Sequence, residues 1–358
     1  MHGTATLRSP FAAPVRRALW RADRWGTLTC RAVRDETADV RTFVLAPEDG
    51  SRISFEPGQF MTFRTGLDEA PERTYTLSSS AAGERTVEIT VKRKPDGAAS
   101  GHLFDTLRPG ATIEALGPAG TFGPVATPAD AYCLVSAGSG ITPMLSIVRT
   151  AADLGIDLDA VFVHAARTPD DLVAADEMRA LARRLPRLSY VPVASRPPAG
   201  WAGERGRIDR AMLARIAPDI ACRAVLSCGP EGFMATVREA ALALGVPADR
   251  CAQESFDFAA NADTGEIDAT LPGHRITFAR SGRSFDCPPG VTILAAAKAA
   301  GVAMPSSCTQ GMCGTCKSFK LTGKVTMGNQ SALRQREIDR GFILPCCAKP
   351  DSDVVIDR

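Results

Sequence analysis

Near its carboxyl end the sequence reads Ser306-Ser307-Cys308-Thr309-Gln310-Gly311-Met312-Cys313-Gly314-Thr315-Cys316, and the adjacent pair Cys346-Cys347 follows after residues 317–345. The spacing Cys-x4-Cys-x2-Cys with a distant fourth cysteine is the plant-type ligand pattern for a [2Fe–2S] cluster. Thiolates are soft ligands that suit iron–sulfur centres, and glycines let the backbone pass close to a cluster and point N–H groups at its sulfurs. The stretch therefore predicts a carrier of single electrons built into the chain.

Two other uses of these cysteines agree less well with the sequence. Zinc sites typically repeat Cys-x2-Cys or add histidines, whereas this segment has one such pair, and the nearest histidine, His274, lies far upstream. A disulfide framework is typical of small secreted chains, and this chain has 358 residues. One cysteine of the pair Cys346-Cys347 is spare as a ligand.

The bulk composition is that of a protein with two or three domains. Hydrophobic residues make up 45% and charged residues 23% of the chain, and we expect no membrane span because no long apolar run is present. The first 24 residues carry five Arg and one Asp without an apolar region before a cleavage site, which argues against a secretory signal. A loose N-terminal extension and a transit peptide both fit this start. Cysteines without secretion favour a reducing, cytoplasmic location.

Charge is distributed unevenly along the chain. Residues 25–272 carry 25 basic and 33 acidic side chains, whereas residues 273–358 carry 12 basic and 6 acidic ones. This asymmetry is either ordinary variation of the surface or a device for docking onto the acidic middle or onto an acidic partner. Nucleic-acid binding is not expected, because the basic residues are scattered without interleaved aromatic residues.

Residues 25–127 are predicted to form an antiparallel β-barrel domain, because short strands follow one another between Gly, Pro and Asp turns. One helix, about Ser100–Leu107, interrupts them. The predicted strands are Thr27–Arg34, Thr42–Ala46, Gly58–Arg64, Thr74–Ser79, Thr86–Arg93 and Thr112–Leu116.

Residues 128–254 alternate strands and helices, which predicts a parallel sheet covered by helices on both faces. A segment rich in Asp, Ala, Gly and Thr follows at 255–273 and is predicted to be a linker. Residues 274–358 are predicted to form a small domain with a hairpin over Arg275–Phe285 and a helix over Val291–Ala300. The predicted strands of the parallel sheet are Ala131–Ser136, Ala160–His164, Leu188–Val193, Ala224–Ser227 and Arg250–Gln253, and the predicted helices are Thr142–Ala152, Ala174–Arg184, Arg207–Ile216 and Glu231–Leu244.

A nucleotide site is predicted where the first parallel strand meets its helix. Gly138-Ser139-Gly140 lets phosphates approach the backbone, and the helix N-terminus offers free N–H groups and a positive dipole. Thr142 is placed to cap this helix and Pro143 to occupy its first turn. A second glycine turn, Cys228-Gly229-Pro230, ends a later strand, where ligands of open parallel sheets bind. The cofactor preference is mixed, because Arg167 is followed by Asp170 and Asp171.

These motifs, with Arg73-Thr74-Tyr75-Thr76 on a barrel strand, resemble the ferredoxin–NADP reductase superfamily over about residues 25–358. The motif Arg-x-Tyr-[Ser/Thr] matches Arg73 to Thr76, Gly-x-Gly-x-[Thr/Ser]-Pro matches Gly138 to Pro143, and Cys-Gly-Pro matches Cys228 to Pro230. The domain order flavin, nicotinamide, ferredoxin is similar to that of the reductase components of Rieske-type oxygenases, particularly quaternary-amine demethylase reductases, and of hybrid-cluster-protein reductases.

The resemblance implies a flavin barrel, an NAD(P)-binding domain and a β-grasp ferredoxin domain. It implies that Arg73 neutralises a flavin phosphate, that Tyr75 packs on the isoalloxazine and that the hydroxyl of the following residue, Thr76, contacts the ring. Leu344-Pro345-Cys346 resembles the Leu-x-Cys that supplies the fourth cluster ligand. Phe256 resembles an aromatic residue that covers the flavin, and it would otherwise anchor the linker. The remaining positions that the resemblance places at the flavin are Thr74, Ser78, Lys92, Ser100, Gly101 and His102.

The function implied is that of an NAD(P)H-dependent oxidoreductase that passes electrons through a flavin and a [2Fe–2S] cluster to a partner protein, a Rieske-type oxygenase. FAD is expected and FMN is the alternative; NADH is expected and NADPH is the alternative. No acid–base catalytic group is expected. Other functions that fit are a reductase of a hybrid-cluster protein or of small molecules, and a redox sensor.

Overall fold

The fold is described from a computed structural model, which covers residues 18–22, 24–67, 72–95, 97–254, 273–302, 304, 311, 316–328, 333 and 335–358. Three units of structure follow one another, as the sequence predicts. Within these ranges, no helix combines the length and the apolar character that a membrane span requires.

The first unit is the predicted antiparallel β-barrel. Its sheet has the strand order β4-β3-β6-β1-β2-β5, and Leu77, just beyond β4, pairs with Ile89 of β5, which joins the two edges. Large side chains such as Phe43 and Phe63 are fully buried inside. The elements are β1 (Gly26–Thr37), β2 (Val40–Pro47), β3 (Phe60–Arg64), β4 (Glu72–Thr76), β5 (Val87–Lys92), α1 (Ala98–Thr106) and β6 (Thr112–Ala119).

The described part of the N-terminal extension lies along this barrel. The backbone N–H of Trp20 donates to the carbonyl of Arg52 at 2.9 Å, and its indole N–H donates to the carbonyl of Gly117 at 2.7 Å. The indole ring covers Gly26, where a Cβ would lie 2.5 Å from it. The last residues before the barrel therefore pack on it, while residues 1–17 and 23 lie outside the described ranges.

The second unit is a parallel sheet with the order β10-β9-β8-β7-β11-β12. Side chains alternate along β7: Leu134 packs into a core with α2 and α3, whereas Val135 packs into a second core with α4 and α5. The strands are β7 (Ala131–Ala137), β8 (Asp159–Ala166), β9 (Leu188–Ala194), β10 (Glu204–Arg205), β11 (Ala224–Cys228) and β12 (Cys251–Glu254), and the helices are α2 (Thr142–Leu154), α3 (Ala175–Arg184), α4 (Arg210–Ile216) and α5 (Glu231–Ala243).

The third unit is a mixed sheet in the order β14-β13-β19-β15-β17 that packs against the helix α6, as in a β-grasp fold. β13 and β19 are parallel, and the other pairs are antiparallel. The elements are β13 (His274–Phe278), β14 (Ser284–Cys287), α6 (Ile293–Ala299), β15 (Ser318–Thr322), β16 (Val325–Met327), α7 (Gln335–Asp339), β17 (Phe342–Ile343), β18 (Ala348–Pro350) and β19 (Val354–Ile356).

Two helices begin later than their sequence patterns predict, because capping side chains stand before them. The Asp209 carboxylate accepts the N–H of Met212 at 2.8 Å, so α4 begins at Arg210 rather than at residue 207. The Thr292 hydroxyl likewise accepts the N–H of Ala295, and α6 begins at Ile293. The short elements β15 to β18 and α7 were not predicted, since two to five residues show no clear periodicity.

Candidate functional site

Three parallel strands end side by side at the carboxyl edge of the second sheet. Ser136 of β7 is in register with Cys228 of β11, and Cys228 is in register with Glu254 of β12. On the other side of Ser136, the hydroxyl lies 2.8 Å from Nδ1 of His164 in β8. Burial lowers the pKa of His164 to about 3, so this imidazole is neutral. Its hydrogen bond with Ser136 has a structural role within the sheet.

Two glycine turns touch one another directly above this row. A Cβ on Gly140 would lie 2.3 Å from the carbonyl oxygen of Cys228 and 2.7 Å from the N atom of Gly229. Gly138 has a φ of 54°, in the region that glycine adopts without strain. The predicted turns 138–140 and 228–230 are thus brought together, and only glycine fits at their contact.

The helix start differs in detail from the prediction. Residues Gly138–Ile141 form a 3-10 turn, and Thr142 is already the first residue of α2, with Pro143 after it. The Thr142 hydroxyl donates to the carbonyl of Ser139 at 3.2 Å instead of capping α2. Both residues are buried behind the turn, so they support the backbone cradle.

A cleft of about 690 Å³ opens in front of the turns. Its walls include Gly138, Ser139, Gly140, Arg167, Gly229 and Pro230 of the predicted set. Arg207 and the barrel residues Lys92 and Lys94 add three more cations. The carboxylate of Asp171 accepts the N–H and the hydroxyl of Thr168. The excess of cations and the backbone cradle fit the pyrophosphate of a dinucleotide.

Lys92, which is predicted to lie beside the flavin, also lines the nucleotide cleft. Its Nζ pairs with Asp39 at 2.7 Å, which orients the ammonium between the two domains. The strand β5 that carries it runs along the domain boundary, and Lys92 is its last residue. A contribution of the barrel to the nucleotide cleft depends on packing between domains, which motif spacing does not encode.

The predicted flavin strand β4 borders the same edge. Arg73 is exposed, and the Tyr75 ring packs against Phe63 with centroids 6.0 Å apart. Thr76 is buried, and its hydroxyl donates to the Glu254 carboxylate at 3.1 Å. The barrel and the parallel sheet therefore meet where the predicted flavin and nucleotide residues adjoin.

Glu254 was not predicted as a site residue. It ends β12, and removal of its carboxyl from water raises the pKa to about 8 despite the hydrogen bond from Thr76. The carboxyl is therefore mainly protonated at neutral pH. The sequence does contain a signal for Glu254 as a site residue, namely a carboxylate at the carboxyl end of a predicted parallel strand.

The other flavin candidates are spread over the barrel. Ser78 is fully buried, with its hydroxyl 2.9 Å from that of Thr90, so it joins the barrel interior. Ser100 donates to the carbonyl of Gly97 in the first turn of α1, and Gly101 adjoins open space. His102 lines a second cleft, of about 570 Å³, together with Glu72. Thr74 is half-buried on β4, and Phe256 lies outside the described residues.

Two cysteine thiols face each other in the third unit. Sγ of Cys316 and Sγ of Cys346 are 3.2 Å apart, and both lie in an apolar pocket with Leu333 and Leu344. The Cys347 sulfur is 3.7 Å from that of Cys346, and this residue is more exposed. A buried, converging pair of soft donors fits an iron–sulfur cluster. Cys308 and Cys313 lie outside the described residues.

A cationic surface flanks the thiol pocket. The Phe342 ring packs against the pocket, with Lys317 Nζ 5.6 Å and the Arg340 guanidinium 5.9 Å from its centroid. Lys317 also pairs with Glu337 at 3.1 Å. Positive charge is thus placed beside the predicted electron carrier.

Comparison with known proteins agrees with this arrangement. Residues 28–123 match the oxidoreductase FAD-binding domain, residues 134–239 match the oxidoreductase NAD-binding domain, and residues 276–351 match the 2Fe-2S iron-sulfur cluster binding domain. The expected cofactors FAD, NADH and [2Fe–2S] are confirmed by these three matches.

Relatives share the whole domain order. The glycine betaine monooxygenase reductase subunit of Pseudomonas aeruginosa is 35% identical, over 98% of this chain and all of its own. The stachydrine N-demethylase reductase subunit of Rhizobium meliloti is 38% identical, over 90% of this chain and 94% of its own. The structure of phthalate dioxygenase reductase, described as modular for electron transfer from pyridine nucleotides to [2Fe–2S], matches 93% of this chain and 98% of its own with a TM-score of 0.58 and 25% identity.

Substitution of Gly140 by Ala tests the contact between the two turns. Because the added Cβ would collide with backbone, we expect the turns to separate and the Kd for NAD+ to rise about tenfold or more, as overpacking strain of about 1–3 kcal/mol implies. Titration of the flavin absorbance measures the Kd. Gly83→Ala is the control, since its Cβ would meet only a carbonyl oxygen at 3.7 Å. Equal affinity in Gly140→Ala and wild type would contradict the close contact.

The raised pKa of Glu254 predicts a pH-dependent stability. The folded protein holds this proton more tightly than the unfolded chain, so stability falls as pH rises from the ordinary value of 4.5 through about 8. In Glu254→Gln this part of the slope should disappear. Thermal midpoints of flavin-free protein across that pH range measure it, with Glu239→Gln, at an exposed position, as the control. Parallel pH profiles for wild type and Glu254→Gln would refute the assignment.

Proposed function

The chain belongs to the family of FAD-, NAD- and [2Fe–2S]-containing reductase components of oxygenase systems, and we propose that its own acceptor is a Rieske-type oxygenase that demethylates a quaternary amine. It is an NAD(P)H-dependent oxidoreductase, as expected from the sequence. This function is supported by the matches to three family models and by relatives that align over nearly their full length. The identity of the oxygenase and of its substrate is the part that we propose.

The cofactors supply the electron chemistry, and the protein orients them. When bound, FAD would supply acceptance of a hydride from NADH and release of its two electrons one at a time to the [2Fe–2S] cluster. Gly138–Gly140, Gly229 and the cations of the cleft would hold the dinucleotide. Arg73 and Tyr75 would hold the flavin, and Cys316 and Cys346, with Cys308 and Cys313, the cluster.

The observation that carries the proposed hydride transfer between the first two domains is the hydrogen bond of 3.1 Å between Thr76 and Glu254. Thr76 belongs to the proposed flavin strand, and Glu254 is in register with Cys228 of the proposed nucleotide turn. The two sites thus adjoin through one hydrogen bond. Hydride transfer requires such contact because the reacting atoms must come within about 3–3.5 Å.

The nature of the acceptor is inferred from two lines of support. The relatives include reductase subunits for glycine betaine monooxygenase and stachydrine N-demethylase, and both of those substrates are quaternary ammonium compounds. The basic surface around Phe342, with Lys317 and Arg340, suits an acidic docking face on the oxygenase.

The test of the acceptor is direct turnover with purified proteins. Under anaerobic conditions, NADH and the reductase should reduce the cluster of a purified Rieske-type oxygenase that demethylates a quaternary amine, and the change in visible absorbance measures this reduction. Ferricyanide and a quinone serve as small-molecule acceptors in parallel. Fast reduction of the small molecules with none of the oxygenase would contradict the proposal and favour a self-sufficient reductase.

Replacement of a cluster ligand should separate the two halves of the electron path. In Cys316→Ser or Cys346→Ser, reduction of cytochrome c should fall by at least about tenfold, because single electrons leave through the cluster. The rate at which NADH bleaches the flavin in stopped flow should stay within about threefold. Cys347→Ser, with the more exposed neighbouring sulfur, is the matched control. A variant without cluster that also cannot accept hydride would show that the order of carriers is wrong.

A further inference from the structure

One largely buried arginine bridges the boundary between the barrel and the parallel-sheet domain. Arg149 lies on α2, the helix that begins behind the nucleotide turn, and its side chain is 11% exposed. A buried guanidinium needs full pairing, because an unpaired charge away from water is costly. Its partners therefore show what the arginine holds in place.

On the barrel side, Arg149 contacts the segment that leaves the flavin strand. Its Nη1 donates to the carbonyl of Ser78 at 2.7 Å and to the Glu88 carboxylate of β5 at 3.0 Å. Ser78 stands two residues after Thr76, which bonds Glu254. The guanidinium thus binds the backbone at Ser78, just after the proposed flavin-binding residue Thr76.

On its own side, Arg149 is held in a fixed orientation by α3. Nε and Nη2 donate to the two oxygens of Glu177, each at 2.7 Å, which is the bidentate geometry that restricts a guanidinium most. Glu88 is itself held by both terminal nitrogens of Arg34, each at 3.0 Å. Two cations and two anions alternate across the boundary, so the buried charge is compensated.

Two further side chains of α2 bind the same segment of the barrel. The Ser146 hydroxyl donates to the carbonyl of Ser79 at 2.8 Å, and the Thr150 hydroxyl accepts the N–H of Ala81 at 2.8 Å. Ser146, Arg149 and Thr150 share one face of α2, at the i, i+3, i+4 spacing. We call this face, with the segment 78–81 that it holds, the interdomain clasp.

We propose that Arg149 is a positioning residue for hydride transfer, because the interdomain clasp sets the separation between the flavin strand and the nucleotide turn. The inference rests on the proposed function. One end of the clasp is continuous with Thr76, and the other is continuous, through α2, with Gly140. A shift of the clasp therefore displaces the nicotinamide relative to the flavin without altering the side chains that hold either cofactor.

The test is stopped-flow reduction of the FAD-loaded protein by NADH. In Arg149→Met, the limiting rate at saturating NADH should fall about 10²-fold, the effect of a misplacement of about 1 Å. The Kd for NADH from the same titration should change by less than about threefold, because the cations of the cleft remain. The long-wavelength charge-transfer absorbance of the nicotinamide–flavin pair should weaken.

Two further variants keep the test decisive. Glu177→Gln loosens the bidentate hold but leaves the bonds to Ser78 and Glu88, and it should slow the limiting rate by about threefold to tenfold, with a folded protein even where Arg149→Met is unstable. Arg223→Met is the matched control, because Arg223 is also about 10% exposed and paired with two carboxylates, Asp159 and Asp219, inside one domain. Arg223→Met should keep the wild-type rate.

Two results would overturn the role of Arg149. The first is a wild-type limiting rate in both Arg149→Met and Glu177→Gln. The second is an equal slowing in Arg223→Met, which would show general loss of stability instead of positioning. Failure of wild-type protein to reduce its flavin with NADH would be a different outcome, since it would overturn the proposed function itself.

Discussion

The close contact between Gly140 and the carbonyl oxygen of Cys228 is the constraint on which the site depends. A Cβ at residue 140 would lie 2.3 Å from that oxygen, so the two turns can meet only through glycine. Their contact aligns the carboxyl ends of β7 and β11, and the register continues to Glu254 on β12. The barrel then closes onto this edge through Thr76. The absence of a side chain at Gly140 thus lets the two turns meet and decides where two cofactors can adjoin.

Polar groups add directional contacts to the apolar packing across the boundary between the first two domains, where Val40 of β2 joins the core of the parallel-sheet domain. Arg149 is paired on both sides of the boundary, whereas the half-buried carboxyl of Glu254 has a pKa raised to about 8 and is largely neutral. Ionisable groups are thus kept away from water at this boundary in two ways. The charge of Arg149 is compensated by carboxylates, and the carboxyl of Glu254 retains its proton. Directional bonds define one relative position of the two domains, which apolar contact alone specifies less sharply.

The third unit has a different requirement: it must enclose the thiols that hold the cluster and still allow electrons to leave. Cys316 and Cys346 are packed among leucines, and an apolar surrounding with few competing donors favours soft ligation. Phe342 forms one wall of that pocket, with Lys317 and Arg340 beside the ring. A carrier held by these thiols would therefore lie beside Phe342 and its two neighbouring cations. The relatives that share all three domains are named as subunits or components of oxygenases, which agrees with an exit toward another protein.

The sequence by itself determined the local features: the cysteine spacing, the two glycine turns, the periodicity that predicts barrel and parallel sheet, and the order of the three domains. These are encoded within a few consecutive residues, where spacing and conformational preference act directly. Only the tertiary structure decided that Lys92 faces the nucleotide cleft, that Glu254 bonds Thr76 and that Arg149 joins the domains. Those roles depend on pairs of residues that lie far apart in the sequence. Arg149 and Glu88 are 61 positions apart, and Thr76 and Glu254 are 178 positions apart. Local patterns carry no information on such pairs, because desolvation and pairing exist only once two folded surfaces meet.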